Sequence, residues 1–102
     1  MNGAHDLGGM HGFGPIAPPK SEPVFKHDWE RRMFAIHVGL CFAAAYNIDE
    51  HRHGCERMNG SDYLSTTYYE HWLHANEVLL VEKGVFTQEE YEAKLQTLKD
   101  EA

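Results

Sequence analysis

The sequence has few cysteines, few basic residues and no long hydrophobic run. Only Cys41 and Cys55 are present among 102 residues, whereas a disulfide-stapled secreted domain usually has more cysteines. Nine basic residues face sixteen acidic ones, and the formal net charge of −7 argues against binding to nucleic acids or anionic membranes. No apolar stretch approaches the roughly 20 residues of a membrane-spanning helix, and the start lacks the features of a signal peptide. We therefore expect a cytoplasmic protein with reduced thiols.

Proline is absent after residue 23, and this divides the chain in two. All four prolines and five of the nine glycines lie before residue 24, where they prevent a regular helix or a central strand. Composition alone leaves a disordered tail as the alternative. However, apolar side chains that suit an arm lying in a groove are interspersed through this segment: Leu7, Met10, Phe13 and Ile16. We predict an extended subunit-wrapping arm at residues 1–27 and a helical domain at residues 28–102.

From Trp29 onward the apolar residues recur with the period of an α-helix, and Asp28 is the expected N-cap of the first helix. Three further helix starts are predicted from capping-box spacing: Asn47 to Glu50, Thr67 to Glu70 and Thr87 to Glu90. There is no alternating strand pattern of useful length. The sequence therefore predicts the all-α class, with an extended N-terminal arm followed by about four helices.

The helix that begins after Thr67 is expected to end at Gly84, a residue suited to a left-handed C-terminal cap. The Asn59–Gly60 pair before it predicts a turn. This helix is apolar around much of its circumference, notably at residues 78–81. Since one helix of a small domain should not be buried on every side, we expect it to be central or to face a partner.

Eight histidines raise the hypothesis of a metal site. On helices, His51 with Cys55 and His71 with His74 have spacings that would place each pair on one face. A structural zinc site usually has four nitrogen or sulfur ligands at recognised spacings, and no CxxC or HExxH occurs here. We expect no metal in this chain, although a small metal-binding protein remains an alternative. Nothing marks Cys55 as a reactive thiolate.

Two other groups allow both a structural and a functional interpretation. Arg52 and Glu56 have the spacing of a solvated helical ion pair, worth about 0.3–0.5 kcal/mol. Alternatively, Arg52 presents its guanidinium to an anion on a partner. Tyr68 and His71 are three residues apart, so they could relay a hydrogen bond to a reacting site or form the rim of a packed helix.

Several blocks of the sequence, in order, resemble the beta subunit of nitrile hydratase. The resemblance covers about residues 1–98, and its most specific parts are the arm and the Tyr-Tyr-x-His-Trp block. The matching blocks are Met1–Gly9, Gly12–Pro15, Glu22–Phe25 with Trp29–Glu30, Asp49–Met58, Tyr68–Leu73 and Leu79–Gly84.

This resemblance implies a subunit of an enzyme that converts a nitrile and water into an amide. In the family, a separate alpha subunit holds non-haem iron(III) or non-corrin cobalt(III) through a Cys-x-x-Cys-Ser-Cys cluster with two oxidised cysteines. The present sequence has no such cluster. The resemblance therefore implies no cofactor in this chain, inactivity of the chain alone, and an alpha-like metal-binding partner wrapped by the arm.

The same resemblance assigns roles to five residues. Arg52 matches a family arginine that hydrogen-bonds the oxidised cysteine oxygens, and Tyr68 and His71 match groups of the catalytic pocket. Glu56 matches a group that supports the pocket from outside. Trp72 lies beside this block, where it lines the substrate pocket or packs in the core.

The resemblance also raises a question about the rest of a beta subunit. In the family, the helical part is followed by a small β-barrel domain with a second arginine, whereas this sequence ends at Ala102. We expect a separate chain to supply that half, as in toyocamycin nitrile hydratase and thiocyanate hydrolase. By analogy alone, this favours a three-subunit cobalt enzyme acting on a nitrile such as toyocamycin. The alternatives are a thiocyanate hydrolase subunit and a nitrile hydratase activator, a metallochaperone that lacks the arm.

Overall fold

The computed structural model describes residues 3–7, 11–12 and 14–102. Five helices are present in this part: α1 Asp28–Phe42, α2 Ile48–Glu56, α3 Gly60–Ser65, α4 Tyr68–Glu82 and α5 Gln88–Glu101. The described residues contain no strand, and the predicted all-α class is confirmed. Met10 and Phe13, which contributed to the prediction of an arm, lie outside the described residues.

The additional helix is α3, which begins where the sequence predicted a turn. The side chain of Asn59 accepts a hydrogen bond from the Asp62 amide at 2.9 Å and so caps a helix of six residues. Asparagine is favoured both in turns and at helix N-caps. The Asn59–Gly60 pair therefore could not tell these two structures apart.

The predicted starts of α2, α4 and α5 are confirmed. At α2, the Glu50 amide donates to Asn47 Oδ1 at 2.8 Å, and the Asn47 amide donates to Glu50 Oε1 at 3.1 Å. Equivalent capping boxes begin α4 and α5. The prediction for α1 was wrong by one residue, because the N-cap is His27 and not Asp28. Glu30 selects this register by accepting the His27 amide at 3.0 Å.

Two of the helices end in the same way, with a Schellman motif. Val85 donates its amide to the Leu80 carbonyl at the end of α4, and Gly84 adopts the predicted left-handed conformation, with φ of 78°. Ala45 donates in the same manner to the Leu40 carbonyl at the end of α1. The left-handed position there is occupied by Ala44, with φ of 59°.

Helix α4 is central, since both α1 and α2 pack against it. The apolar core consists of Met33, Tyr46, Ala75 and Leu79. The crossing of α2 and α4 is tight at Gly54, where a Cβ atom would lie 3.1 Å from the Cβ of Ala75. This central position accounts for the burial of Ala75 and Leu79, whereas Leu73 on the same helix is 41% exposed.

The described part of the arm contains one compact feature. The Asp6 amide donates to the Gly3 carbonyl at 3.0 Å, which closes a turn whose residues are half-buried against the helices. From Gly14 to His27 the backbone is irregular, and only Phe25 is half-buried. The wrapping of this arm around another subunit stays a prediction. None of the described helices is long and apolar enough to cross a membrane.

Candidate functional site

A cleft of about 270 Å³ lies among α2, α3, α4 and the turn at residues 3–6. The five residues singled out in the sequence all line it: Arg52, Glu56, Tyr68, His71 and Trp72. Helix α2 supplies the first two and α4 the other three. The packing of these two helices therefore brings the residues together, while their roles remain predictions.

Arg52 is exposed at this cleft. The helical ion pair that its spacing allows with Glu56 does not form. The Glu56 carboxylate lies instead near two histidines, with Oε2 3.7 Å from His5 Nε2 and Oε1 3.8 Å from His53 Nδ1. Arg52 makes no ion pair within the part of the chain that the structure describes, so its guanidinium is available to an external anion.

His71 is held in a defined orientation. Its Nε2 lies 2.8 Å from the backbone oxygen of Tyr63, and its ring stacks on the Tyr63 ring with a centroid distance of 4.2 Å. A carbonyl oxygen can only accept, so Nε2 carries the proton and Nδ1 is the free acceptor of the neutral ring. Helix α3 thus fixes the tautomer of His71.

Tyr68 and Trp72 form the aromatic side of the cleft. The Tyr68 side chain is 65% exposed, and its ring lies 5.5 Å from that of Trp72. Trp72 also contacts the rings of Phe34, His37 and His51. Both interpretations of Trp72 therefore apply, because its indole lines the cleft and packs in the core.

A buried network of hydrogen-bonded side chains, formed by His37, Tyr46 and Asn76, lies behind Trp72. His37 Nδ1 lies 3.0 Å from the Tyr46 hydroxyl, which donates to Asn76 Oδ1 at 2.7 Å. Asn76 in turn donates to the Trp72 carbonyl at 2.9 Å. Since the Tyr46 proton goes to Asn76, His37 must donate from Nδ1. Burial raises the pKa of Tyr46 to about 12, so the phenol stays protonated.

His51 lies between this buried network and the cleft. It is 3% exposed, lines the cleft, and its ring centroid lies 4.0 Å from that of His37. Burial, followed by the charge of His37, lowers the pKa of His51 to about 4. Its buried Nε2 atom has no hydrogen-bond partner among the described residues.

Neither the histidines nor the cysteines of the described ranges form a metal site. No group of three or more His, Cys, Asp or Glu residues there could hold a metal ion. His51 belongs to the core, and the Cys55 thiol donates to the His71 carbonyl at 3.4 Å. Burial raises the pKa of Cys55 to about 11, which disfavours the thiolate that metals and electrophiles require.

Sequence reasoning did not place His5 and Tyr63 at this cleft. Tyr63 lies on α3, a helix that the sequence analysis did not predict, so its contact with His71 had no visible signal. His5 lies in the arm, 51 residues away from Glu56 in sequence, and only tertiary structure brings the two together.

Comparison with known proteins identifies the family. The family described as nitrile hydratase beta subunit, N-terminal, matches residues 1–102. A nitrile hydratase subunit beta from Pseudomonas putida is 53% identical over 90 residues, which cover 88% of this chain and 42% of the relative. The low-molecular weight cobalt-containing nitrile hydratase subunit beta of Rhodococcus rhodochrous is 42% identical over 100 residues, which cover 98% of this chain and 44% of the relative.

A third relative is the cobalt-containing nitrile hydratase subunit beta of Pseudonocardia thermophila. It is 39% identical over 100 residues, which cover 98% of this chain and 43% of the relative. The chain thus spans less than half of the length of these curated relatives. The match of the family over the whole chain, and these identities, show that the chain belongs to the N-terminal family of nitrile hydratase beta subunits.

Proposed function

We propose that this chain completes the active site of a metal-carrying alpha subunit, and that the assembly adds water to a nitrile to give an amide. The observation that carries the proposal is the exposed Arg52 guanidinium, which has no ion-pair partner among the described residues. It stands at the same cleft as Tyr68, His71 and Trp72. A cation beside hydrogen-bonding and aromatic groups suits a surface that closes over an anionic site.

In this proposal Arg52 binds the oxidised cysteine oxygens of the alpha subunit. Sulfinate and sulfenate are anionic acceptors, and a guanidinium keeps its charge while donating two parallel hydrogen bonds. Lysine offers a single point charge without that planar geometry. The exposure of Arg52 on the first turns of α2 leaves the group accessible to such a partner.

The other residues shape the pocket. Tyr68 is exposed enough to donate or accept a hydrogen bond with a substrate, and His71 offers the free Nδ1 that its bond to Tyr63 leaves. Trp72 provides an apolar wall, and Glu56 supports the cleft from its edge. Groups placed in this way orient bound water and substrate and tune their acidity.

The metal belongs to the partner in this proposal. At the cleft, the exposed Arg52 cation stands beside the hydrogen-bonding groups of Tyr68 and His71, which suits a negatively charged ligand cluster on a partner. When bound, cobalt(III) or iron(III) supplies Lewis-acid activation of nitrile or water. Two relatives have names that include cobalt, so we favour cobalt over iron. We also expect the assembly to be cytoplasmic.

The relatives are more than twice as long as the segment they share with this chain. The remaining half of a beta subunit, with its second arginine, would complete the site together with these residues. Neighbouring reading frames would test whether a separate polypeptide supplies it, and a nearby Cys-x-x-Cys-Ser-Cys protein would identify the alpha partner.

Replacement of Arg52 tests the proposal. In the assembled enzyme, Arg52→Lys should lower kcat by about ten- to a hundredfold with unchanged metal content. Arg57→Lys is the matched control. The Arg57 guanidinium forms an ion pair with Glu82, with Nη1 2.8 Å from Oε1, and Arg57 does not line the cleft. Full activity of the Arg52→Lys enzyme would refute the role of Arg52.

Copurification separates a subunit from an activator. A stoichiometric complex that retains nitrile-hydrating activity supports the proposal. Binding only during metal insertion, followed by release of this chain, would refute it in favour of a metallochaperone.

A further inference from the structure

The turn at the start of the chain carries a histidine onto the helical domain. The Asp6 amide closes this turn by donating to the Gly3 carbonyl, and the His5 side chain is only 17% exposed. Most other described residues of the arm are exposed. His5 is therefore docked at a specific place on the domain, where it lines the cleft.

His5 contacts two helices at once. Its Nε2 atom lies 3.7 Å from Glu56 Oε2 on α2, a distance that allows an ion pair when the imidazole is protonated but exceeds a good hydrogen bond. Its ring meets the Tyr63 ring on α3 edge-on, with centroids 6.5 Å apart. Tyr63 is also the residue that orients His71. His5 thus contacts both Glu56, at the edge of the cleft, and Tyr63, which orients His71.

The position of the imidazole depends on Gly3. A Cβ atom at residue 3 would lie 2.6 Å from His5 Nδ1 and 2.7 Å from His5 Cε1, well inside van der Waals contact. Any side chain at Gly3 would therefore displace the ring. The close packing also buries Nδ1, which has no hydrogen-bond partner in the described part of the chain.

From these contacts we infer that His5 is a positioning residue, which holds Glu56 and Tyr63 in the places that shape the cleft around Arg52 and His71. The inference rests on the proposed function, because it assigns His5 to the same site. It also gives the arm a second role, since docking of its first turn completes a wall of the cleft within this chain.

Kinetics of the assembled enzyme test the inference. His5→Ala should lower kcat by about tenfold and change KM little, because His5 acts on the orientation of other residues. His5→Gln keeps a side-chain N–H donor near Glu56 and should recover most of the lost kcat. Gly3→Ala should reproduce the His5→Ala defect, because it moves the imidazole without removing it.

His11→Ala is the matched control, since it removes an exposed histidine from the same arm and should leave kcat unchanged. Hydrogen–deuterium exchange of the Gly3–Asp6 peptide gives a readout independent of activity, and it should accelerate in His5→Ala and Gly3→Ala but not in His11→Ala. An inactive wild-type assembly would refute the proposed function itself. An active wild type in which His5→Ala matches His11→Ala in kcat would refute the role of His5 alone.

Discussion

The buried rings of His37 and His51 contact each other, with their centroids 4.0 Å apart and their planes tilted by 42°. Burial lowers the pKa of both imidazoles, and the charge of His37 contributes to lowering the pKa of His51 to about 4. Because two adjacent charged rings in a poorly solvated place would repel each other, the folded chain favours both in the neutral form.

This pair predicts that the fold weakens in mild acid. Between the unfolded pKa of about 6.5 and the folded pKa of His51 of about 4, the unfolded chain binds more protons than the folded one. The free energy of unfolding should therefore fall as pH falls through this window, by on the order of 2 kcal/mol. Urea denaturation at a series of pH values measures the slope.

His51→Phe should flatten that slope, because it keeps an aromatic ring and removes the titrating group. His53→Phe provides the control on the same helix, since it removes a side chain that is 57% exposed and keeps the buried pair, so the slope should persist. An undiminished slope in His51→Phe would show that other groups cause the acid sensitivity.

The left-handed positions of the two Schellman motifs predict that exchanges between alanine and glycine there have opposite effects on stability. Ala44 adopts the left-handed conformation that disfavours a side chain, whereas Gly84 occupies the equivalent position after α4. Ala44→Gly should therefore raise the free energy of unfolding by up to about 1 kcal/mol, and Gly84→Ala should lower it by about 1 kcal/mol. Thermal unfolding of both variants measures the difference, and a loss of stability in Ala44→Gly would contradict the strain argument.

Local signals made most of the helices predictable. The capping boxes at Asn47, Thr67 and Thr87 involve residues only three positions apart, so the sequence contains both partners of each interaction. The start of α1 was missed by one residue because Glu30 pairs with the backbone of His27, which has no side-chain signature of a typical N-cap. Helix α3 was missed because its first residues also suit a turn.

The site was predictable only where its residues share a helix. The spacings within α2 and α4 place Arg52 near Glu56, and Tyr68 near His71 and Trp72, and the family resemblance joined these two sets. The contributions of His5 and Tyr63 depend on contacts between elements that are distant in sequence. The burial of His51 likewise follows from the packing of α2 on α4, which hydrophobic periodicity does not indicate for a histidine.

The Tyr46 hydroxyl is expected to be important for stability. Tyr46 is 3% exposed, and Tyr46→Phe would leave both Asn76 Oδ1 and His37 Nδ1 without this partner. The loss should lower the free energy of unfolding by about 1–3 kcal/mol. Tyr68→Phe, at a side chain that is 65% exposed, should change it by less than about 0.5 kcal/mol. Equal effects of the two substitutions in urea denaturation would contradict a stabilising role of the buried hydrogen-bonded network.

Cys55 is expected to be a poor nucleophile despite the histidines around it. Burial is the main cause that raises the pKa of its thiol to about 11, and the thiol proton is shared with the His71 carbonyl. Near pH 8, the thiolate fraction should be about a hundredfold below that of a free cysteine. Alkylation by iodoacetamide, followed by mass spectrometry of the Cys55 peptide, should therefore be slow in the folded protein and should accelerate in urea. Equal rates in the folded and unfolded states would show that the thiol is exposed and reactive, and would reopen the nucleophilic interpretation that the geometry disfavours.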